Sequence, residues 1–303
     1  MSDDGIKVRG IGPYLFILPM VIGISIFGFY ALFYVFRLSL FKSTLLTSEY
    51  VGLKNYTYIF KEKWFLTSLM HTLYYALWSV PLNLIVGLTL AFALHKKMKF
   101  GTMFRFIYLL PWVSSTVIVA LIFRYIFNPE WGIMNWFLGI FGINKIMWTE
   151  NYLMAIPVIA TMGAWQNAGF GMIIFLGAIT SIPKQIFEAS DLDGCNEFKK
   201  FWYITIPLLK PVIFFYLVIS LITAFQVFDA VYAFLEGTPG AGAWTIFTSP
   251  IQVSAYFVYS VGFKMFSFGR SAAMGIVMFA IVLTIIIIQK FSLGKNYNFL
   301  GKN

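Results

Sequence analysis

Long apolar runs alternate with short polar segments along this chain. A membrane-spanning helix needs roughly 20 apolar residues to cross the hydrocarbon core of a bilayer, and six runs are long enough. We predict spans at about 11–36, 66–94, 103–127, 152–180, 211–235 and 271–291. The first run follows Lys7 and Arg9, exceeds the apolar core of a signal peptide and lacks a small-residue cleavage site, which predicts a retained first span. The pattern predicts an all-α integral membrane protein in which residues 1–303 form a single polytopic domain.

The composition agrees with a membrane location. Hydrophobic residues make up 60% of the chain and charged residues 11%, whereas a soluble domain usually carries about 25% charged residues. The net charge of +10 would suggest a nucleic-acid partner in a soluble protein. In a membrane protein, positive residues first report orientation, so we expect no nucleic-acid partner. Cys195 is the only cysteine, which excludes an internal disulfide and a cysteine-rich metal site.

The distribution of Lys and Arg predicts the orientation of the spans. Thirteen of the 22 lie in or next to the two tails and the loops 95–102 and 181–210, and eight lie on the opposite face. Because positive residues are enriched on the cytoplasmic side, both termini are predicted to be cytoplasmic. The excess is modest, since the first loop, 37–65, holds five of those eight. Loop 181–210, called the polar loop below, is then cytoplasmic as well.

The polar loop contains the stretch EASDLDGCNEFKKFWYITIPLLKP, residues 188–211, which holds four of the twelve acidic residues. Ser181 is a suitable N-cap, and Pro183 a suitable first-turn residue, for a helix that runs to residue 193. Gly194 can end this helix with a positive φ. Asn196 can cap a second short helix that has Glu197 in its first turn. The loop is therefore predicted to form a helix–turn–helix on the membrane surface.

Two carboxylates of the first helix have an informative spacing. Glu188 and Asp191 lie three residues apart and share one helix face, where a partner protein could contact both. Ala189 beside them permits close approach of a partner's backbone. The alternative is a solvated loop whose carboxylates pair with Lys184 or Lys199.

The same stretch resembles a known signature. Glu188-Ala189-Ser190, three residues, Gly194, nine residues and then Ile204-Thr205-Ile206-Pro207 are similar to the Glu-Ala-Ala, Gly, Ile-x-Leu-Pro motif of permease subunits from binding-protein-dependent ABC importers. The departures are Ser190 for the second Ala and Ile206 for Leu. VGLKNYTYIF at 51–60, the third span with the loop after it, and LEGTPG at 235–240 extend the resemblance over nearly the whole chain. They are most similar to the maltose-type, sugar-importing branch, although no loop here has room for a large inserted extracytoplasmic domain.

The resemblance implies a type I importer permease fold in a prokaryotic cell membrane. It implies four kinds of partner: a second homologous permease, two ATP-binding subunits, an extracytoplasmic solute-binding protein and a sugar, besides membrane lipid. The polar loop is expected to dock into a cleft of an ATP-binding subunit. The residues implied for this coupling are Glu188, Ala189, Ser190, Asp193, Gly194, Ile204 and Pro207.

The chain itself shows no catalytic pattern. Its Gly-Lys pairs, at Gly294 and Gly301, lack the upstream Gly and the following Ser or Thr of a P-loop. His71 and His95 are far apart and have no acidic metal-ligand cluster beside them. We therefore expect a non-enzymatic subunit that binds no metal or cofactor, with ATP and Mg bound and hydrolysed on the partner ATPase.

Polar and aromatic residues inside the spans indicate what is transported. Polar groups at membrane depth are costly unless they face a cavity or a partner, and rings together with neutral amides and hydroxyls suit a sugar. In the sugar-importing branch the substrate is held by the third to fifth spans. The residues that match this region, with Asp229 added for its depth, are Trp112, Thr116, Trp165, Asn167, Phe170, Gln226 and Asp229.

Each of these residues also has a structural explanation. Ser and Thr in a span often bond their own backbone, and Trp is often an interface anchor. Asp229 can reach water or pair with Arg124. An ion-coupled secondary carrier that titrates Asp229, a membrane receptor or assembly factor, and an importer of another solute such as glycerol phosphate are the alternatives. A di- or oligosaccharide fits the spans best, since they hold almost no cation beyond Arg124.

Overall fold

A computed structural model describes residues 12–95, 99–236 and 245–294. Most of the LEGTPG stretch and Lys7, Arg9, Lys96, Lys97, Lys295 and Lys302, which contributed to the orientation argument, lie outside the described residues. The helices are α1 (Gly12–Gly23), α2 (Ala31–Ser39), α3 (Lys54–Ile59), α4 (Lys63–Leu94), α5 (Gly101–Val113), α6 (Thr116–Ile126), α7 (Ile133–Ile140), α8 (Ala155–Thr180), α9 (Lys184–Leu192), α10 (Glu197–Lys200), α11 (Ile206–Phe225), α12 (Asp229–Glu236), α13 (Thr245–Thr248), α14 (Ser254–Tyr259) and α15 (Phe268–Gly294). Strands β1 (Phe41–Ser43) and β2 (Ser48–Tyr50) and the π-helical turns Ile24–Tyr30, Phe201–Thr205 and Ser260–Lys264 complete the set.

The chain divides into two compact units, and the first comprises residues 1–61 and 261–277. Its strands form an antiparallel hairpin in which Phe41 pairs with Tyr50. The buried amide of Asn55 donates to the carbonyl oxygens of Ser39 at 2.8 Å and Phe41 at 2.9 Å. Asn55 thus joins the end of α2 to the hairpin, which explains the Asn in VGLKNYTYIF. In α1 and α2 the apolar side chains are mostly exposed, as expected for a helix that faces lipid.

The second unit comprises residues 62–260 and 278–303. Its centre is the long packing of α4 along α8, against which α5 and α11 also pack. One core cluster lies around Ile159, Phe225 and Tyr256. A second lies around Phe175 and Tyr216. Small residues of α8 let the neighbouring helices approach closely, which is the usual way that spans associate in lipid.

The predicted third span is divided into two helices. Ser114 and Ser115 leave the helical conformation with ψ of 151° and 126°, and α5 and α6 meet there at an angle of 95°. Within the described part of the chain, five helices are long and apolar enough to cross a membrane, and α5 with α6 would make six. The helical stretch that corresponds to the predicted fifth span runs from Glu197 to Leu235, so it begins well before the predicted start at 211. Where each span enters the bilayer stays a prediction.

Candidate functional site

A cavity of about 210 Å³ lies between the helices of the second unit. It is bounded by α4, the α5–α6 bend, α8, the C-terminal end of α11 and the start of α12. Its polar and aromatic lining consists of Tyr75, Ser79, Asn83, Trp112, Thr116, Gln166, Asn167, Ser220 and Thr223. The lining contains no charged side chain among the residues that the structure describes. Such a surface offers donors and acceptors to a neutral, hydroxyl-rich ligand.

Three of the predicted path residues line this cavity: Trp112, Thr116 and Asn167. Phe170 supports it from the side, because its ring stacks on Trp112 with centroids 5.3 Å apart and planes at 18°. Asn167 donates to the carbonyl oxygen of Gly163 in its own helix at 2.8 Å. The structure therefore brings Trp112, Thr116, Asn167 and Phe170 together around one space.

The other three predicted path residues do not line the cavity. Trp165 is 48% exposed and packs against Phe123 with ring centroids 5.6 Å apart. Gln226 caps the C-terminus of α11 and is exposed. Asp229 opens α12 and is exposed. Across the described residues no ion pair joins Asp229 to Arg124.

The lining of the cavity by residues of α4 was not predicted from the sequence. Tyr75, Ser79 and Asn83 recur every four residues and so lie on one face of α4. The oxygen atoms Ser79 Oγ and Asn83 Oδ1 are buried and have no hydrogen-bond partner in the described part of the protein. Buried polar atoms are normally satisfied, so these two give the α4 wall unused acceptors, although neither atom is exposed to the cavity in the ligand-free protein. The four-residue polar spacing was the signal that could have found them.

Gln166 holds the bend that shapes one wall of the cavity. Its Nε2 donates to the carbonyl oxygen of Ser114 at 3.2 Å and to Thr116 Oγ1 at 3.1 Å. The Ser114 carbonyl belongs to the bend, where a regular helix would have bonded it. An amide on α8 thus replaces the missing intrahelical bond and fixes α5 and α6 against α8.

The polar loop forms the predicted helix–turn–helix. Gly194 has a φ of +71°, and the Cys195 and Gly194 amides donate to the carbonyl oxygens of Ser190 at 3.0 Å and Asp191 at 3.1 Å. These two bonds form a Schellman motif, which satisfies the last carbonyls of α9. Asn196 caps α10, since its Oδ1 accepts the Lys199 amide at 2.9 Å.

One cap prediction in this loop is wrong. Ser181 does not cap α9; it lies at the end of α8, where its hydroxyl donates to the carbonyl oxygen of Gly177 at 2.7 Å. The residue before α9 is Pro183, which provides no side-chain cap. Ile204 and Thr205 lie in the π-helical turn Phe201–Thr205, and Pro207 follows at the start of α11. Because α10, this turn and α11 are contiguous, Pro207 removes one backbone donor from a continuing helix beside the π-helical turn.

The ion pairs in the polar loop differ from the alternative in which its carboxylates pair with Lys184 or Lys199. The ammonium of Lys200 bonds Asp191 and also Glu197, the latter at 3.2 Å. Lys184 and Lys199 take no part in these pairs. Glu188 and Ala189 remain exposed on α9. Among the residues described, no group of three or more His, Cys, Asp or Glu side chains could hold a metal ion.

Comparison with known proteins decides the family. Residues 79–293 match the family of binding-protein-dependent transport system inner membrane components. The chain belongs to this family. It is 31% identical over 277 residues to the trehalose/maltose transport system permease protein MalF of Thermococcus litoralis, covering 91% of each chain. It is 32% identical over 280 residues to the arabinooligosaccharides transport system permease protein AraP of Bacillus subtilis, covering 91% of this chain and 87% of the relative.

Solved structures support the same fold. A chain of a bacterial alginate ABC transporter, in complex with an alginate pentasaccharide-bound periplasmic protein, superposes with a TM-score of 0.78 at 22% identity and 92% coverage of both chains. At this identity the likeness shows the fold alone. The protein is thus a multi-pass membrane subunit of an ABC importer with the permease fold. The signature Glu188-Ala189-Ser190…Gly194 lies within the matched residues.

Proposed function

We propose that this permease forms half of the translocation path for a carbohydrate, a di- or oligosaccharide, in an ATP-driven importer. The observation that supports it most is the uncharged cavity, where Trp112 and Phe170 stack beside hydroxyl and amide groups. Aromatic faces pack on the C–H surfaces of a sugar while neighbouring polar groups bond its hydroxyls. The relatives named for maltose, trehalose and arabinooligosaccharides point to the same class of solute.

The lining also favours a neutral sugar over the alternatives. An anionic solute such as glycerol phosphate would be expected to meet a cation in the path, and the described lining holds none. An ion-coupled carrier would need its titrating group at the site. Asp229, the group considered for that role, lies outside the lining and is exposed.

The polar loop supports the proposed arrangement of this chain with its partner subunits. In this proposal both termini and the polar loop are cytoplasmic, and exposed residues of α9 contact a separate ATP-binding subunit. Glu188 would accept a charge-assisted hydrogen bond from that subunit, and Leu192, 91% exposed, would add an apolar contact. Two such subunits bind ATP and Mg and perform hydrolysis, while this chain binds no cofactor. A second homologous permease completes the path, and an extracytoplasmic binding protein delivers the sugar.

Reconstitution of the isolated transporter complex tests the proposal. The binding protein that co-purifies is first screened against a panel of di- and oligosaccharides, and uptake of the tightest labelled sugar into proteoliposomes is then measured with and without ATP. We expect uptake that requires ATP. Glu188→Ala should lower sugar-stimulated ATP turnover at least tenfold, since losing one partner of an interfacial charge pair costs about 2–5 kcal/mol. Glu130→Ala, in another exposed loop, is the matched control. Uptake driven by a membrane potential without ATP, or full stimulation in Glu188→Ala, would reject the assignment.

A further inference from the structure

Lys200 is the buried cation of the polar loop. Its side chain is 8% exposed, whereas the Asp191 side chain that it bonds is 62% exposed. Lys199, the preceding residue, is exposed and forms no ion pair with any described residue. A buried ammonium is costly unless it is paired, so the position of Lys200 depends on its carboxylate partners.

The two partners of Lys200 belong to different helices. Glu197 lies three residues before it in α10, and that pair closes within one helical turn. Asp191 lies nine residues before it, in α9, on the other side of the Gly194 turn. The bond to Asp191 therefore joins α9 to α10, whereas the bond to Glu197 joins nothing beyond α10.

The helix that carries Lys200 leads to the cavity. From Glu197 the chain stays helical through α10, the π-helical turn Phe201–Thr205 and α11. Ser220 and Thr223, near the far end of α11, line the cavity. At about 1.5 Å of rise per residue, Ser220 lies roughly 30 Å from Lys200 along this helix. The segment from 197 to 225 thus runs from the polar loop to the substrate path.

Asp191 and Glu188 have different roles in this arrangement. They share one face of α9, but Asp191 is bonded inside the loop and Glu188 is exposed. A second link from α9 to the spans is apolar and looser, with the rings of Phe187 and His95 at 6.2 Å between centroids. The charged link to Lys200 is the directional one, because a charge-assisted hydrogen bond has a stricter geometry than a ring contact has.

We propose that Lys200 is a positioning residue whose ion pair with Asp191 fixes α9 to the helix 197–225, so that displacement of α9 by the ATP-binding subunit reaches the cavity. The proposal rests on the proposed function, because it assigns how the polar loop works in that transporter. Lys200 and Asp191 need not touch the ATP-binding subunit. Glu188 provides that contact, and the Lys200–Asp191 pair transmits the resulting displacement of α9.

The test measures sugar transported per ATP hydrolysed by the whole complex in proteoliposomes. Lys200→Met and Asp191→Asn should each lower this ratio at least fivefold, while the amount of ATP-binding subunit that co-purifies changes less than twofold. The double variant should be no worse than either single one, since both break the same bond. Lys200→Arg should restore at least half of the ratio, and Lys199→Met should leave it unchanged.

Asp191→Asn keeps the test decisive if Lys200→Met fails to assemble, because Lys200 stays paired with Glu197 in that variant. A normal ratio in Asp191→Asn would overturn the proposal. So would a low ratio in Asp191→Asn beside a normal one in Lys200→Met, which would indicate a direct contact of Asp191 with the ATP-binding subunit. Absence of ATP-driven uptake in the unmodified complex would instead refute the proposed function itself.

Discussion

Gly87 of α4 and Gly171 of α8 meet backbone to backbone where the two helices cross. A Cβ added to Gly87 would lie 3.0 Å from the Cα of Gly171 and 3.3 Å from the ring of Phe175. A Cβ added to Gly171 would lie 2.7 Å from the hydroxyl of Tyr216. Helix association in lipid depends on such close packing, because water provides no hydrophobic drive there. The crossing lies beside the cavity and sets how closely two of its walls approach.

Gly87→Val is expected to destabilise the protein by about 1–3 kcal/mol, the usual cost of overpacking a tight contact. The matched control is Gly177→Val in α8, where an added Cβ meets no atom within 4 Å. Both changes replace Gly by the same β-branched residue in a helix, so propensity effects cancel. The midpoint of thermal unfolding in detergent should fall for Gly87→Val alone. Equal shifts for the two variants would mean that the crossing is not tightly packed.

Gly194→Val is expected to weaken coupling more than Gly194→Asn. A Cβ at Gly194 meets nothing within 4 Å, so conformation rather than space requires glycine there. At a φ of +71° a β-branched residue is strained by about 1–2 kcal/mol, whereas Asn tolerates this region. The readout is sugar-stimulated ATP turnover of the complex. Gly194→Asp should resemble the Asn variant in conformation but add a charge beside the contact surface, so its turnover should lie below that of Gly194→Asn. A Val variant as active as the Asn variant would contradict the role of the turn.

Local chemistry made the turn of the polar loop predictable, but it did not make its charge pairing predictable. Gly194 and Asn196 act on neighbouring backbone groups, so their identity is enough to locate the turn and the cap. The choice of Lys200 over Lys199 as the partner of Asp191 depends on the angle at which α10 leaves the turn. That angle is set by packing of the loop, for example of Phe201 on Phe92 with ring centroids 4.7 Å apart.

The cavity residues likewise divide into those that the sequence predicted and those whose position depends on packing. Polar and aromatic residues at membrane depth, narrowed by the resemblance to sugar importers, located Trp112, Thr116 and Asn167. Trp165 was equally favoured by its type, yet the rotation of α8 turns it towards Phe123. The 95° bend was also missed, since SS in PWVSSTV is a weak helix breaker whose effect depends on Gln166 across the interface.

Gln166→Leu is expected to destabilise the bend. The substitution leaves the Ser114 carbonyl without the donor that replaced its intrahelical bond, and a hydrogen bond of this kind contributes about 0.5–1.5 kcal/mol. Trp112 and Thr116 flank the bend, so the apparent KM for sugar uptake should rise at least threefold as well. Thr161→Val is the control on α8, because its hydroxyl donates only to Pro157 in its own helix, at 2.8 Å. A Gln166→Leu protein with unchanged thermal midpoint and KM would show that the bend is held by other contacts.

Asn83 and Asn135 should respond to mutation in opposite ways. Asn135 uses its whole amide: Nδ2 donates to the carbonyls of Pro129 and Ile146, each at 2.9 Å, and Oδ1 accepts from Ile146 N at 3.2 Å and Trp148 Nε1 at 2.9 Å. Asn135→Leu removes all four bonds, three of which satisfy partly buried backbone groups of Pro129 and Ile146. It should lower the thermal midpoint by several degrees, corresponding to about 2 kcal/mol or more.

Asn83→Leu should leave the thermal midpoint of the sugar-free protein unchanged or raise it, because Asn83 Oδ1 is buried without a partner among the described residues and its removal relieves that cost. The same change should raise the KM for sugar uptake at least tenfold, since a bond to the sugar worth about 1.4 kcal/mol or more is lost. The pair of measurements, thermal midpoint and uptake, separates a ligand-binding amide from a structural one. If Asn83→Leu destabilised the empty protein as strongly as Asn135→Leu and left KM unchanged, Asn83 would be a structural residue and the α4 face would not bind the sugar.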